Sequence, residues 1–168
     1  MLGLKRGTVQ LVKHNSDWKK VFELEAKKLK KIFSEDAIDI QHIGSTALKG
    51  MRAKPIIDIG LMVLSFGAVK RHIKELAGAG YVLKENYGEK EMFFTKGLEE
   101  KRTCYLHIGE AGSGFIENAI RFRDILREDK KIAKEYSQLK EKLAIEYSEE
   151  RKVYTKKKGE FIEKILSK

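Results

Sequence analysis

From Pro55 to Val63 the chain reads Pro-Ile-Ile-Asp-Ile-Gly-Leu-Met-Val, a strand-length run that is largely apolar and carries one carboxylate, Asp58. Such a run bounded by proline reads as a buried strand, and the proline falls at its start, where no ladder donor is lost. The strand needs company, because every apolar face must find a partner layer.

Those layers are legible on either side. Thr8 to Val12 reads as a short strand, and His14-Asn15-Ser16-Asp17 is a cluster of capping residues before apolar positions at Trp18, Val21, Phe22, Leu29, Ile32 and Phe33. Their helical spacing predicts a first helix that buries Trp18. A strand is expected from Ile38 to Ile43 and a helix from Phe66 to Ala79, ending in the glycines at 78 and 80. Tyr81 to Lys84 and Met92 to Thr95 read as strands joined by the turn-rich Asn86-Tyr87-Gly88, and Cys104 to Ile108 as a further strand. After Gly112-Ser113-Gly114 the apolar positions recur at helical spacing to the C-terminus, for two or three helices. The pattern predicts an α+β fold, a mixed β-sheet flanked by helices with a helical C-terminal third, and residues 1–168 read as a single domain.

Lys plus Arg number 35 against 25 Asp plus Glu, a net charge of +10 that favours encounter with anions: nucleotides, nucleic acid or acidic proteins. Much of the excess is lysine in helical segments, at 27, 28, 30, 31 and 156–158, where solvated faces are the ordinary explanation, so a dedicated nucleic-acid surface is not favoured. Cys104 is the only cysteine, which excludes an internal disulfide and suits a reducing, cytoplasmic compartment. No apolar run approaches the roughly 18 residues of a spanning helix, so neither export nor membrane insertion is expected.

Chemistry concentrates in His42-Ile43-Gly44-Ser45-Thr46-Ala47-Leu48 and the strand that follows it. Glycine allows close backbone approach, and backbone N–H groups with a serine hydroxyl at such a turn can bind phosphate oxygens. Asp58 on the next strand could then hold a divalent cation bridging those phosphates. Lys54 and Arg52 flank the start of that strand, and Arg102 leads into the Cys104 strand, so each could meet phosphate or remain a surface charge. Cys104 and His107 are three apart with no second Cys/His pair, so structural zinc is not expected. Phosphate-loop, dinucleotide-binding and nucleophile-elbow motifs are absent.

The phrase HIGSTALKGMRAKPIIDI resembles the signature of the GrpB family, assigned to the nucleotidyltransferase-like fold. Val9, Leu11, Trp18, Phe22 and Glu25 upstream, and Phe93-Phe94, Arg102-Thr103, Leu106-His107 and Phe122-Arg123-Asp124-Leu126 downstream, extend the likeness over nearly the whole chain. The resemblance implies a Gly-Ser turn at Gly44 and Ser45 and a first acidic residue at Asp58. The second acidic position falls on Gly60, which offers no ligand, so the acidic motif is incomplete. His107 stands where a third acid is expected, as a metal ligand, a proton carrier or a core histidine.

The expected site is therefore Asp58 and His107 as catalytic and metal-binding residues for Mg²⁺ or Mn²⁺, with Gly44, Ser45, Thr46, His42, Lys54 and Arg102 around the ligand. His42 can equally serve the turn alone, and Arg121 and Arg123 read as ion-pair partners near Asp124. The implied function is binding of a nucleotide or other phospho-metabolite, with metal-dependent nucleotidyl transfer as its catalytic form. A non-catalytic regulatory or protein-interaction domain is the alternative. Some domains of the family are fused to dephospho-coenzyme A kinase, which adds coenzyme A-related compounds to the candidate ligands.

Overall fold

The computed structural model describes residues 2–84 and 89–168. Five strands, β1 (Ala37–Ile43), β2 (Ile57–Val63), β3 (Tyr81–Lys84), β4 (Met92–Leu98) and β5 (Lys101–Glu110), form one sheet in the order β1-β2-β5-β4-β3. β2 and β5 run parallel at its centre, and every other neighbouring pair is antiparallel. The sheet is mixed, as its sequence pattern predicts.

Alternation along the two central strands divides the molecule. Ile57, Ile59, Leu61 and Val63 of β2, with Cys104, Leu106 and Ile108 of β5, face helix α1 (Asp17–Phe33) and the pair α2 (Phe66–Arg71) and α3 (Ile73–Gly78). There they meet Trp18, Leu29, Phe33 and Leu76 in the main core, each of these side chains almost wholly excluded from water. Burial of one such side chain is worth about 1.5–3 kcal/mol, so this face holds the sheet in place. The other set, Asp58 and Gly60 on β2 with Tyr105, His107 and Gly109 on β5, faces α4 (Phe115–Glu128), α5 (Lys130–Glu146) and α6 (Arg151–Leu166). These helices close on a smaller core of Phe122, Leu126, Tyr136 and Ile165 against Leu48 and Met51.

Two expectations are corrected. Thr8 to Val12 forms no strand, because its backbone donors go to different partners: Val9 N–H to Ser148 O at 2.7 Å and Val12 N–H to Ala53 O at 2.9 Å. A ladder needs successive bonds to one neighbour, and this segment makes only single bridges. The helix expected over 66–79 breaks at His72, whose ring stacks obliquely on Phe33 and whose Nε2 lies 2.8 Å from Asp36 Oδ2. The Asn86-Tyr87-Gly88 turn lies outside the described residues. Among the described residues no helix is long and apolar enough to cross a membrane.

Candidate functional site

β1 ends at Ile43, and Gly44 turns the chain with φ +69° into a single 3-10 turn at Ser45–Ala47. A Cβ on Gly44 would lie 2.6 Å from Asp58 Oδ2 and 3.0 Å from Asp58 Cβ. Glycine is thus required twice, for its backbone angle and because the carboxylate lies directly against the turn. Gly44 is exposed and Ser45 half-buried at the mouth of a cleft of about 1000 Å³ between the sheet and α4–α6.

His107 stands beside Asp58 on the same face of the sheet. Its Nε2 is 3.4 Å from Asp58 Oδ1, and its Nδ1 is 2.6 Å from Glu91 Oε1. Burial alone would push the imidazole pKa down, but hydrogen bonds and charge from Asp58 and Glu91 outweigh it and raise the value to about 9. Burial likewise disfavours the Asp58 carboxylate, yet His107, Lys54 and Lys158 hold its pKa below the usual carboxylate range. At neutral pH the pair is imidazolium and carboxylate, with Glu91 behind it.

Cations surround this pair. Lys54 lines the cleft with its Nζ 5.5 Å from the centre of the Tyr154 ring, and Lys158 approaches the same ring at 5.2 Å. Burial, followed by repulsion from Lys158 and Arg151, lowers the Lys54 pKa to about 7. Arg151 stacks over Tyr105 at 4.8 Å and donates to its hydroxyl at 2.8 Å. Among the described residues no carboxylate lies within ion-pair distance of Lys54, Arg151 or Lys158. Phe122, Leu126, Tyr136 and Ile162 give the cleft an apolar wall.

The structure brings together Gly44, Ser45, Thr46, Asp58, Lys54 and His107 at the large cleft, whose lining includes neither His42 nor Arg102. His42 is buried behind the turn, stacked on Phe22 at 4.7 Å with its Nε2 2.9 Å from Thr46 Oγ1. Burial lowers its pKa to about 4, so a neutral ring braces the turn and Thr46 has its hydroxyl committed there. Arg102 is also buried and donates to Gly97 O and to Glu99 in its own β4–β5 turn, outside the lining of the large cleft. Arg123 holds Gln41, the His42 carbonyl and Asp124, the ion-pairing role expected of it. Arg121 donates to Leu166 O at 3.2 Å, and Arg52 to Leu11 O at 3.1 Å.

Sequence reasoning missed Arg151 and placed Lys158 on a solvated face. Arg151, Tyr154, Lys158 and Ile162 recur at helical spacing along α6, and that mixed cationic and aromatic stripe was the available signal. Glu91, immediately before β4, carries the carboxylate behind His107. Glu110, at the end of β5, accepts the Phe66 N–H at 2.8 Å at the start of α2.

Two side chains, Asp58 and His107, could offer donors to one divalent cation, and His107 only after losing the proton it holds at neutral pH. His107 Nε2 and Asp58 Oδ1 are spaced as neighbouring ligands of one ion, and Glu91 on Nδ1 would orient the ring, as carboxylates do for metal-bound histidines. Position 60 cannot add an acid cheaply: a Cβ there would lie 3.2 Å from Ile116 and 3.3 Å from Ile43. Among the described residues no three His, Cys, Asp or Glu side chains converge on a metal position.

Comparison with known proteins agrees with this architecture. The family model for GrpB protein matches residues 8–168. The glutamate-rich protein GrpB of Alkalihalophilus pseudofirmus is 39% identical over 172 residues, covering 99% of each chain. The crystal structure of the conserved protein GrpB from Enterococcus faecalis superposes with a TM-score of 0.77 at 30% identity, over 93% of this chain and 99% of that one. The Cid1 poly(U) polymerase with MgGTP bound superposes with a TM-score of 0.54 at 16% identity, over 79% of this chain and 44% of that one. That likeness concerns the fold alone, and it is a nucleotidyltransferase-like fold. On the match from residue 8 to the C-terminus and the end-to-end likeness to GrpB proteins, the chain belongs to the GrpB family.

Proposed function

We propose that the cleft binds a nucleotide or related phosphate-containing ligand, its phosphates against the Gly44-Ser45 turn and between Lys54, Lys158 and Arg151. One observation carries this reading: Lys54, Arg151 and Lys158 line a cleft in which none of them has a carboxylate within ion-pair distance among the described residues, and Asp58 is engaged by His107. Burial disfavours the charge on Lys54, and an anionic ligand would offset that cost, whereas Lys158 holds its proton through Tyr136, Tyr154 and Asp58 and offers a standing charge to the same ligand. The apolar wall of Phe122, Leu126 and Tyr136 suits a base or another flat apolar group next to the phosphates.

A divalent cation would enter with the phosphates. Asp58 and His107 would hold it, and bound there it would neutralise charge on the phosphate oxygens. The chain's own part is to orient the phosphates through Ser45 and the backbone of the turn, and to hold the His107 ring through Glu91. Nucleotidyl transfer is the catalytic form of this function; the single acidic residue on β2 makes binding the more economical reading.

The test is thermal unfolding against nucleoside triphosphates and coenzyme A precursors, with and without Mg²⁺ or Mn²⁺, on wild type and Asp58→Ala. A ligand at about 100 times its Kd adds about 2.7 kcal/mol, or roughly 5–10 °C for a chain of this size. A shift for one ligand class that Asp58→Ala alters in its metal dependence supports the proposal. No shift with any of them transfers the weight to a protein-interaction role.

A further inference from the structure

On the same face of the sheet, across Tyr105 from the large cleft, lies a second pocket of about 140 Å³. Its lining includes Arg6, Lys84, Arg102, Arg151 and Thr95, four cations and a hydroxyl. Thr95 is only 4% exposed, and its Oγ1 is buried without a hydrogen-bond partner among the described residues. Buried hydroxyls are nearly always satisfied, so an orphan one among guanidinium and ammonium groups points to an absent acceptor.

The sheet register fixes how the two pockets relate. Asp58 pairs with Tyr105 and Tyr105 with Thr95, so the three side chains stand in one row on the same face. Two strand spacings, about 10 Å, separate the Asp58 and Thr95 backbones. Arg151, which caps Tyr105 between them, lines both pockets.

We propose that this pocket is a second subsite for a phosphate group, distinct from the one at the Gly44-Ser45 turn. Guanidinium groups and a hydroxyl supply several donors to a tetrahedral oxyanion, which suits phosphate better than a planar carboxylate. One carboxylate, Glu99, offsets part of the charge: it lies 2.7 Å from Arg6 Nη1 and 3.4 Å from Arg102 Nη2, and it is well exposed on the turn. Lys84 and Arg151 have no carboxylate within ion-pair distance among the described residues. The subsite implies a ligand, or a pair of ligands, with a phosphate on each side of Tyr105.

Inorganic phosphate is the probe. The Thr95 backbone amide and the Arg102 side-chain signal are followed by NMR at constant ionic strength in wild type, Lys54→Met and the double variant Thr95→Val/Lys84→Met, with acetate as the second arm. Saturating shifts in wild type and Lys54→Met, weakened at least fivefold in the double variant, are expected. No saturation, equal affinity in the double variant or equal response to acetate overturns the assignment; loss in Lys54→Met shows one site instead of two. Because phosphate is read at Thr95 itself, this outcome is independent of whether any nucleotide shifts the unfolding temperature.

Discussion

The two faces of the sheet treat buried charge in opposite ways. Beneath α1, Glu25 is 6% exposed, yet it accepts from Tyr81 Oη at 2.7 Å, Lys96 Nζ at 2.7 Å and Lys28 Nζ at 2.8 Å. Burial disfavours its charged form, but these partners outweigh that and hold its pKa below the usual range. Across the sheet, Lys54 and Lys158 line a cleft without a carboxylate partner within reach among the described residues. A charge network closed on itself adds to stability, while cations left open make a surface that is completed by something from outside.

If that contrast is right, the largest effect of any single change should come from the closed face. Glu25→Ala removes the common acceptor and strands Lys96 and Tyr81 at the edge of the main core. The expected loss is about 3–5 kcal/mol by urea denaturation, with little change in the affinity of any ligand for the cleft. A loss under about 1 kcal/mol would mean that the lysines simply turn to water.

The Glu91–His107–Asp58 chain gives the next effect, and its sign follows from proton linkage. The folded pKa of His107, about 9, lies above its ordinary 6.5. Its stabilisation is therefore complete below about pH 6.5 and is lost as pH rises through 9. Lys54 and Lys140, both lowered to about 7, drive stability the other way over the same alkaline range. The difference between wild type and Glu91→Gln isolates His107. Without added metal, the variant should be less stable at pH 6 by about 1.4 kcal/mol for each pKa unit His107 loses, and the two curves should converge by pH 10. Parallel curves would show that Glu91 does not act through the imidazole.

The same contrast decides what the sequence could disclose. The strands were legible because Ile57, Ile59, Leu61 and Val63 bury one face of a run whose alternate positions include Asp58 and Gly60. The turn and its carboxylate were legible because they lie within one phrase, and the resemblance to the GrpB family directed attention to His107. Arg151 and Lys158 were not, because α6 gains its role only when Tyr154 comes against Lys54, a hundred residues earlier, and its lysines look like any solvated helix face. His42 was ambiguous for a similar reason. Whether it faced the ligand or braced the turn depended on Phe22 and Thr46 arriving around it.

The smallest effect separates the two faces most sharply, because it is a difference of sign. Lys96 and Lys54 are both partly buried lysines lying against a tyrosine ring, at 5.0 Å from Tyr81 and 5.5 Å from Tyr154. Lys96→Met deprives Glu25 of a partner and should destabilise the chain. Lys54→Met removes a cation that burial and its neighbours Lys158 and Arg151 already disfavour, so it should stabilise the ligand-free protein by about 1 kcal/mol. It should also weaken the thermal shift given by a ligand whose phosphates lie at the Gly44-Ser45 turn, since the disfavoured charge is the one those phosphates would neutralise. Urea denaturation of both variants, followed by thermal unfolding with the best ligand, reads both quantities. Loss of stability in Lys54→Met would place that lysine with the structural charges of the closed face and leave the cleft without its principal reason to bind an anion.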